Sequence, residues 1–409
     1  MKWSPLIEDT TKDKIIKKLS QISEILMEED RDSNNEIGLL GGKMGEAVFL
    51  FYYASFSGKE EYYRRAYALI DETFNKVKNE INNHSLYNGL SGIGWALEHL
   101  VQNGFLEADE DILADLNTYL YDAMITKLQQ YHYDLLQGAL GCAQYFSYLP
   151  IDKKTKQYLI EFIKGLASIS FRDQESGGVK WRDKISSGIK ERNVYNLGLS
   201  HGIPGIIAFL SRMYKKDIAK EMVYHLLSKA VSYLLNQKLG DRSLSLYPAF
   251  TSGEEQPYES RLGWCYGDLG IAVALWQASR DTHNKQWKEE AVRILLHSSK
   301  RKNLKQNRVV DACFCHGTSG IAHIFNRMYH NTAVNDFKLA AIYWYKKTLE
   351  MAVHHDGLAG YKIQFHDRKD NHIWYNERNL LKGITGIGLA LLAAVSPIEP
   401  RWDTCLMLS

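Results

Sequence analysis

The chain has 409 residues, 45% of them hydrophobic and 24% charged, with a formal net charge of +2. That composition supplies a large core, and a charge so near zero argues against nucleic acid as a partner held by electrostatics. No stretch approaches the roughly 18 uncharged apolar residues of a membrane span. Charged residues, not an apolar run, follow Met1–Pro5, so no signal peptide is expected.

In chain order, the first element is a helix. Ile15, Leu19, Ile22 and Leu26 form an apolar stripe at helical spacing, and the basic run Lys12–Lys18 is read as its solvated face. A phrase then begins that recurs seven times: Gly-x-x-Gly followed by an apolar run. It starts at Gly42, Gly89, Gly138, Gly202, Gly267, Gly317 and Gly383, with spacings of 47, 49, 64, 65, 50 and 66 residues. Each run, such as Ile206–Leu210 or Ile271–Leu275, is apolar on every side and predicts a buried helix. Amphipathic segments lie between the phrases, at about 60–80, 109–131, 153–170, 217–236, 285–299 and 336–352. The insert before Gly383 reads as a short hairpin, with Tyr361–Phe365 and Ile373–Tyr375 as strands and a polar turn region at His366–Asn371.

Seven buried helices alternating with seven amphipathic ones predict an all-α fold, an α/α toroid with an inner and an outer ring. The two layers share one core, so residues 1–409 are expected to be a single domain.

Aligning the repeats on their first glycine brings chemistry into register. The two residues before it are Leu40-Gly41, Tyr87-Asn88, Leu136-Gln137, Ser200-His201, Cys265-Tyr266, Cys315-His316 and Leu381-Lys382. If the repeats are equivalent, Cys265, Cys315 and His316 share one tier at the helix mouths. Two thiolates and an imidazole are soft ligands suited to Zn²⁺, and three protein ligands leave the fourth tetrahedral position open. Two anionic sulfurs weaken the metal as a Lewis acid but keep a third, incoming thiolate nucleophilic, which favours thiol alkylation over hydrolysis. Any one of the three residues alone would be read as a buried cysteine or a satisfied core histidine.

His201 shares the register of His316 without a cysteine before it, and is read as a general acid or base. Asp134 stands four residues before Gly138 and Arg261 four residues before Cys265, where spacing alone leaves capping and functional roles open. Tyr266 follows Cys265 and belongs beside the site. Asp268 reads as a helix N-terminal acid. Cys142 and Cys405 lack the register and read as structural; Cys313 is two residues off it. The remaining histidines, His354 and His355 among them, are assigned to the surface. Five cysteines, an odd count with Cys313 and Cys315 one residue apart, speak against a disulfide framework and for a reducing cytoplasm.

The segments WCYGDLG (264–270), CHGTSG (315–320) and NLGLSHGIPG (196–205) resemble the signatures of the lanthionine synthetase C-like family, the cyclases of class I lantibiotic biosynthesis. All seven repeats fit, from about residue 38 to 395. The resemblance implies one zinc on Cys265, Cys315 and His316, with catalytic roles for His201 and Asp134 and site positions for Arg261 and Tyr266. It implies Michael-type addition of peptide cysteine thiolates to dehydroalanine or dehydrobutyrine. Its partners would be a dehydrated precursor peptide and, through it, a dehydratase and an ABC transporter at the inner face of the membrane. Lys382 departs from the acid often found there in the family, and no inserted SH2-like subdomain is identified. Eukaryotic relatives that bind glutathione without making lantibiotics supply the alternative, a zinc-containing binding protein.

Overall fold

A computed structural model describes residues 1–29, 36–80, 83–107, 114–183, 193–240, 242–252, 258–366 and 372–409. Its helices follow one another in seven pairs, amphipathic then buried. They are α1 (Thr10–Met27) and α2 (Lys43–Ser57), α3 (Glu60–Glu80) and α4 (Leu90–Gln102), α5 (Ala114–Gln129) and α6 (Ala139–Tyr148), and α7 (Lys153–Ser168) and α8 (Ile203–Lys215). The rest are α9 (Lys220–Asn236) and α10 (Asp268–Thr282), α11 (Lys285–Ser299) and α12 (Thr318–Thr332), and α13 (Asn335–Glu350) and α14 (Ile384–Val395). Every even-numbered helix begins just after a first glycine of the repeat. The expected segment from 109 to 131 is α5; residues 109–113 and the turn at 367–371 lie outside the described residues.

Three two-stranded antiparallel ribbons fill the longer spacings. They pair β1 (Phe171–Arg172) with β2 (Val179–Lys180), β3 (Val194–Asn196) with β4 (Phe250–Ser252), and β5 (Ile363–His366) with β6 (His372–Tyr375). The third is the expected hairpin, with Phe365 opposite Ile373.

The chain divides into two compact units. Unit 1 comprises Met1–Asn83, Tyr87–Glu107 and Asn303–Trp402; unit 2 comprises His84–Leu86, Ala108–Lys302 and Asp403–Ser409. In unit 1 the last buried helix, α14, packs on α1, α2 and α12, so the ends of the repeat series meet. In unit 2, α8 packs on α6, α9 and α10. The segment Asp403–Ser409 is gripped there by polar groups of that unit. Gln144 Nε2 donates to the Thr404 carbonyl at 2.7 Å, Gln277 Nε2 to Met407 at 2.7 Å and Trp264 Nε1 to Leu406 at 2.9 Å.

The two helix classes start differently. Three amphipathic helices use side-chain caps, Asp9 accepting from Thr11 N–H, Asp152 from Thr155 and Asn284 from Trp287, whereas α9 and α13 start at Ala219 and Val334 without one. The buried helices start at a glycine with no side chain to offer. A loop carbonyl six residues before that glycine accepts from the first helical N–H: Lys43 to Glu36 at 3.1 Å, Ala139 to His132 at 3.0 Å, Thr318 to Asp311 at 3.2 Å, Ile384 to Glu377 at 3.0 Å. The chain therefore doubles back tightly before each buried helix. The second glycine makes this possible. A β-carbon at Gly320 would lie 1.8 Å from the Phe314 carbonyl oxygen, and one at Gly205 2.5 Å from that of Leu199.

One assignment is corrected. His99 and His323 are fully buried and His330 nearly so. They lie on the buried faces of α4 and α12, and each finds a polar or ring partner: His99 Nε2 meets the Tyr52 hydroxyl at 3.0 Å. His355 is exposed, and His354 packs against Trp374 with ring centroids 4.8 Å apart.

Gly320→Ala should cost about 3 kcal/mol of stability, because the obstacle is backbone and cannot swing aside. Gly240→Ala, where the added carbon meets nothing within 4 Å, should stay within about 0.5 kcal/mol of the parent. Urea denaturation midpoints of the two variants test this; equal costs would show that the close approach is not limiting.

Candidate metal centre and proton-transfer site

The doubling-back loops set a common level for the residues just before each first glycine. In unit 1, Cys315 N–H donates to the Leu381 carbonyl at 2.9 Å, Leu381 to Leu40 at 2.9 Å and Leu40 to Tyr87 at 3.0 Å. All four residues stand two places before a first glycine. In unit 2, Leu135 N–H donates to Ser200 at 3.3 Å, and the Ser200 hydroxyl reaches the Cys265 carbonyl at 3.2 Å. Within each unit, the register read from the sequence is thus a physical tier joined by the backbone.

Unit 2 carries Cys265, His201, Asp134, Tyr266 and Arg261. The Asp134 carboxylate, 3% exposed, hydrogen-bonds Nδ1 of His201. A carboxylate only accepts, so Nδ1 carries the proton and Nε2 is left for other work. The other Asp134 oxygen accepts the Gln137 N–H at 2.6 Å and fixes the carboxylate in its loop. Burial alone would lower the proton affinity of His201. The hydrogen bond and charge of Asp134 outweigh it, with Cys265 and Asp183 adding, and the pKa lies above the ordinary 6.5. Tyr266 flanks the imidazole with ring centroids 5.9 Å apart. Cys265 is buried. Arg261 is half-buried in the loop before α10, and its guanidinium has no ion-pair partner among the described residues. Asp268 is more than a helix-end acid. It is fully buried, accepts the Leu246 and Tyr247 N–H groups at 3.0 Å each, and pairs with Arg301 at 3.0 Å.

Unit 1 carries Cys315 and His316, whose ligand atoms lie within 4.8 Å of each other at the mouth of α12. The donor set fits zinc by chemistry: a thiol and an imidazole side by side, and Cys265, also a thiol, at the matching position of unit 2. A cavity of about 1040 Å³ opens in unit 1 at the mouth of α2, lined by Tyr87, Tyr375, Glu377, Lys43 and the Glu46–Arg378 ion pair. Tyr87 connects the two features. Burial and the nearby charges of Glu377 and Cys315 push its phenol up to about 12, so it stays protonated and can donate.

Two residues escaped the sequence reading. Asp311 and Cys313 lie close to His316, all three ligand atoms within 4.8 Å of one another. Cys313 stands four places before its first glycine, as Asp134 does before Gly138. That matched offset was the available signal. None of the five cysteines is in a disulfide and all are buried, Cys142 and Cys405 included.

Comparison with known proteins supplies the family. The nisin biosynthesis protein NisC of Lactococcus lactis subsp. lactis is 24% identical over 265 residues, an alignment covering 59% of this chain and 61% of that protein's length. The solved structure of a nisin cyclase superposes with a TM-score of 0.76 at 18% identity, covering 98% of each chain. That likeness shows the fold, an all-α chain built as an α/α toroid. The family description "lanthionine synthetase C-like protein" matches residues 33–407, and the chain belongs to that family.

Proposed function

We propose that the protein is a zinc-dependent lanthipeptide cyclase, forming lanthionine and methyllanthionine thioethers by intramolecular addition of peptide cysteine thiols to dehydroalanine or dehydrobutyrine. The observation that carries this reading is the pairing of part-buried His201 with buried Asp134, in the register of the cysteines, since a protein that only bound metal would need no oriented proton carrier. Family membership and the fold support it.

In this proposal Cys265, Cys315 and His316 hold one zinc ion per chain. When bound, zinc lowers the pKa of a coordinated peptide thiol, so that a thiolate exists at neutral pH. The chain's own residues do the rest. His201, with Nδ1–H held by Asp134, receives the thiol proton at Nε2 and returns it to Cα after the carbon–sulfur bond has formed. Arg261 steadies the enolate charge in between, and Tyr266 keeps the imidazole in place. The peptide gains and loses nothing in mass. The cavity beside Tyr87 offers room for the chain flanking the reacting residues.

Because the proposed ligands come from both units, we also propose that residues 1–409 act as a single domain. No helix among the described residues is long and apolar enough to cross a membrane. The cytoplasm, a dehydrated precursor peptide, a dehydratase and a membrane transporter are the setting and partners this reading entails.

Incubated with a dehydrated precursor peptide, the zinc-loaded protein should consume free thiols with no change in peptide mass. Chelation of zinc or Cys315→Ala should abolish the reaction, and His201→Ala should slow it about 10²–10⁴-fold. Full zinc occupancy with no thiol loss on several dehydrated peptides would sink the cyclase reading in favour of a peptide- or glutathione-binding protein.

Asp134→Asn tests the pair itself. Because the His201 pKa is raised on folding, the pair stabilises the fold fully below about pH 6.5, and the benefit fades as pH climbs through the raised value. The variant should therefore lose more stability, relative to the parent, at pH 6 than at pH 9. A loss independent of pH, measured by chemical denaturation, would mean the pair is not ionic.

A further inference from the structure

His316 has a second set of neighbours that the proposed reaction does not use. The ligand atoms of Asp311, Cys313 and His316 lie within 4.8 Å of one another, in a group that does not include Cys315. His316 alone belongs both to this group and to the pair at the mouth of α12. An imidazole has two nitrogens on separate edges of the ring. A histidine that gives one to a metal nearly always donates the other, as N–H, to a carboxylate or similar acceptor, which fixes its tautomer and aim.

Asp311 is built for that task. It is 2% exposed. Its Oδ1 accepts the Cys313 N–H at 3.0 Å, and its Oδ2 accepts the Gln364 N–H of β5 at 3.2 Å. The carboxylate is therefore clamped between the loop before α12 and the hairpin. Its backbone is held as well, since the Asp311 carbonyl accepts the Thr318 N–H that opens α12. Cys313 has no solvent exposure, and its sulfur lies within 4.8 Å of a ring nitrogen of His316. Unit 2 repeats the arrangement, with the buried carboxylate of Asp134 behind the imidazole of His201, one place before a first glycine as His316 is.

We propose that Asp311, together with Cys313, is the positioning group of His316: they hold one edge of its ring and turn the other nitrogen toward the metal. This rests on the reading of Cys315 and His316 as zinc ligands. Asp311 and Cys313 are not themselves ligands in it. Both Asp311 oxygens are already engaged by fixed backbone N–H groups, which suits a rigid orienting role better than coordination.

The test is the zinc affinity of the full-length protein, measured by competition with a chromophoric chelator. Asp311→Asn keeps the shape and an acceptor oxygen but removes the charge, and should weaken zinc binding about 10–100-fold. Cys313→Ala should weaken it in the same direction, and Cys313→Ser, which restores a hydrogen-bonding group, should recover most of the loss. The cobalt-substituted Asp311→Asn protein should also show shifted visible absorption bands, which a purely structural loss of loop stability would not produce. Unchanged affinity in Asp311→Asn and Cys313→Ala, with zinc lost in His316→Ala, would overturn the positioning role and leave the proposed function standing. Zinc retained in His316→Ala would overturn both. Loss of zinc from one per chain to none in Asp311→Asn and Cys313→Ala, but not in Cys315→Ala, would make the three residues the metal site themselves and overturn the inference. Should Asp311→Asn fail to fold, the Cys313 variants decide by the same readings.

Discussion

The interaction on which the rest depends is the contact between the second glycine of each phrase and the carbonyl three residues before the first. Phe314 against Gly320, Leu199 against Gly205 and Leu380 against Gly386 place a peptide oxygen where any side chain would have to stand. The contact lets a loop turn back over the start of its own helix and cap it with a carbonyl. A buried helix cannot rely on water for its first N–H groups, and a polar side-chain cap would add a buried group needing its own partner. Capping by the backbone satisfies the helix without that addition.

A consequence is that the residues between the two contacts are held in a fixed position whatever their chemistry. The positions one and two places before the first glycine carry leucine, tyrosine, serine, cysteine, histidine and lysine in different repeats, yet within each unit the backbone there is joined from mouth to mouth. The scaffold has separated the structural duty, which falls on glycine and carbonyl, from the side chains. Reactive groups can then stand in some repeats and apolar ones in others, with no change in the helices below.

This separation explains what was legible in the sequence. Repeat glycines and apolar runs are local and periodic, so all seven helix pairs and the hairpin could be read from them. The level that carries Cys315 and His316 in unit 1, and the one that carries Cys265 in unit 2, were each legible as register, because register is what the glycine contacts set. Partnerships across loops were not. Nothing local to His316 announces that the carboxylate of Asp311 is clamped by Gln364, 53 residues on. Nor does local sequence say that Gln144 and Gln277 hold the segment after Asp403. The buried histidines were misassigned for a related reason: a histidine on the inward face of an inner helix is carried inside, and the placement of that face outweighs the preference of the residue.

The two imidazoles of the tier show how one backbone position supports different chemistry. His201 follows Ser200 and draws its carboxylate, Asp134, from the loop of the preceding repeat. His316 follows Cys315 and has its carboxylate, Asp311, in its own loop. A carboxylate contributed by a neighbouring repeat holds Nδ1–H and leaves Nε2 for the proton exchange proposed above. One contributed by the same loop fixes the ring against its own helix mouth, next to the thiol with which it would share a metal. In the proposed function, the difference between proton carrier and ligand thus lies in which loop supplies the carboxylate, and in whether serine or cysteine comes just before the histidine.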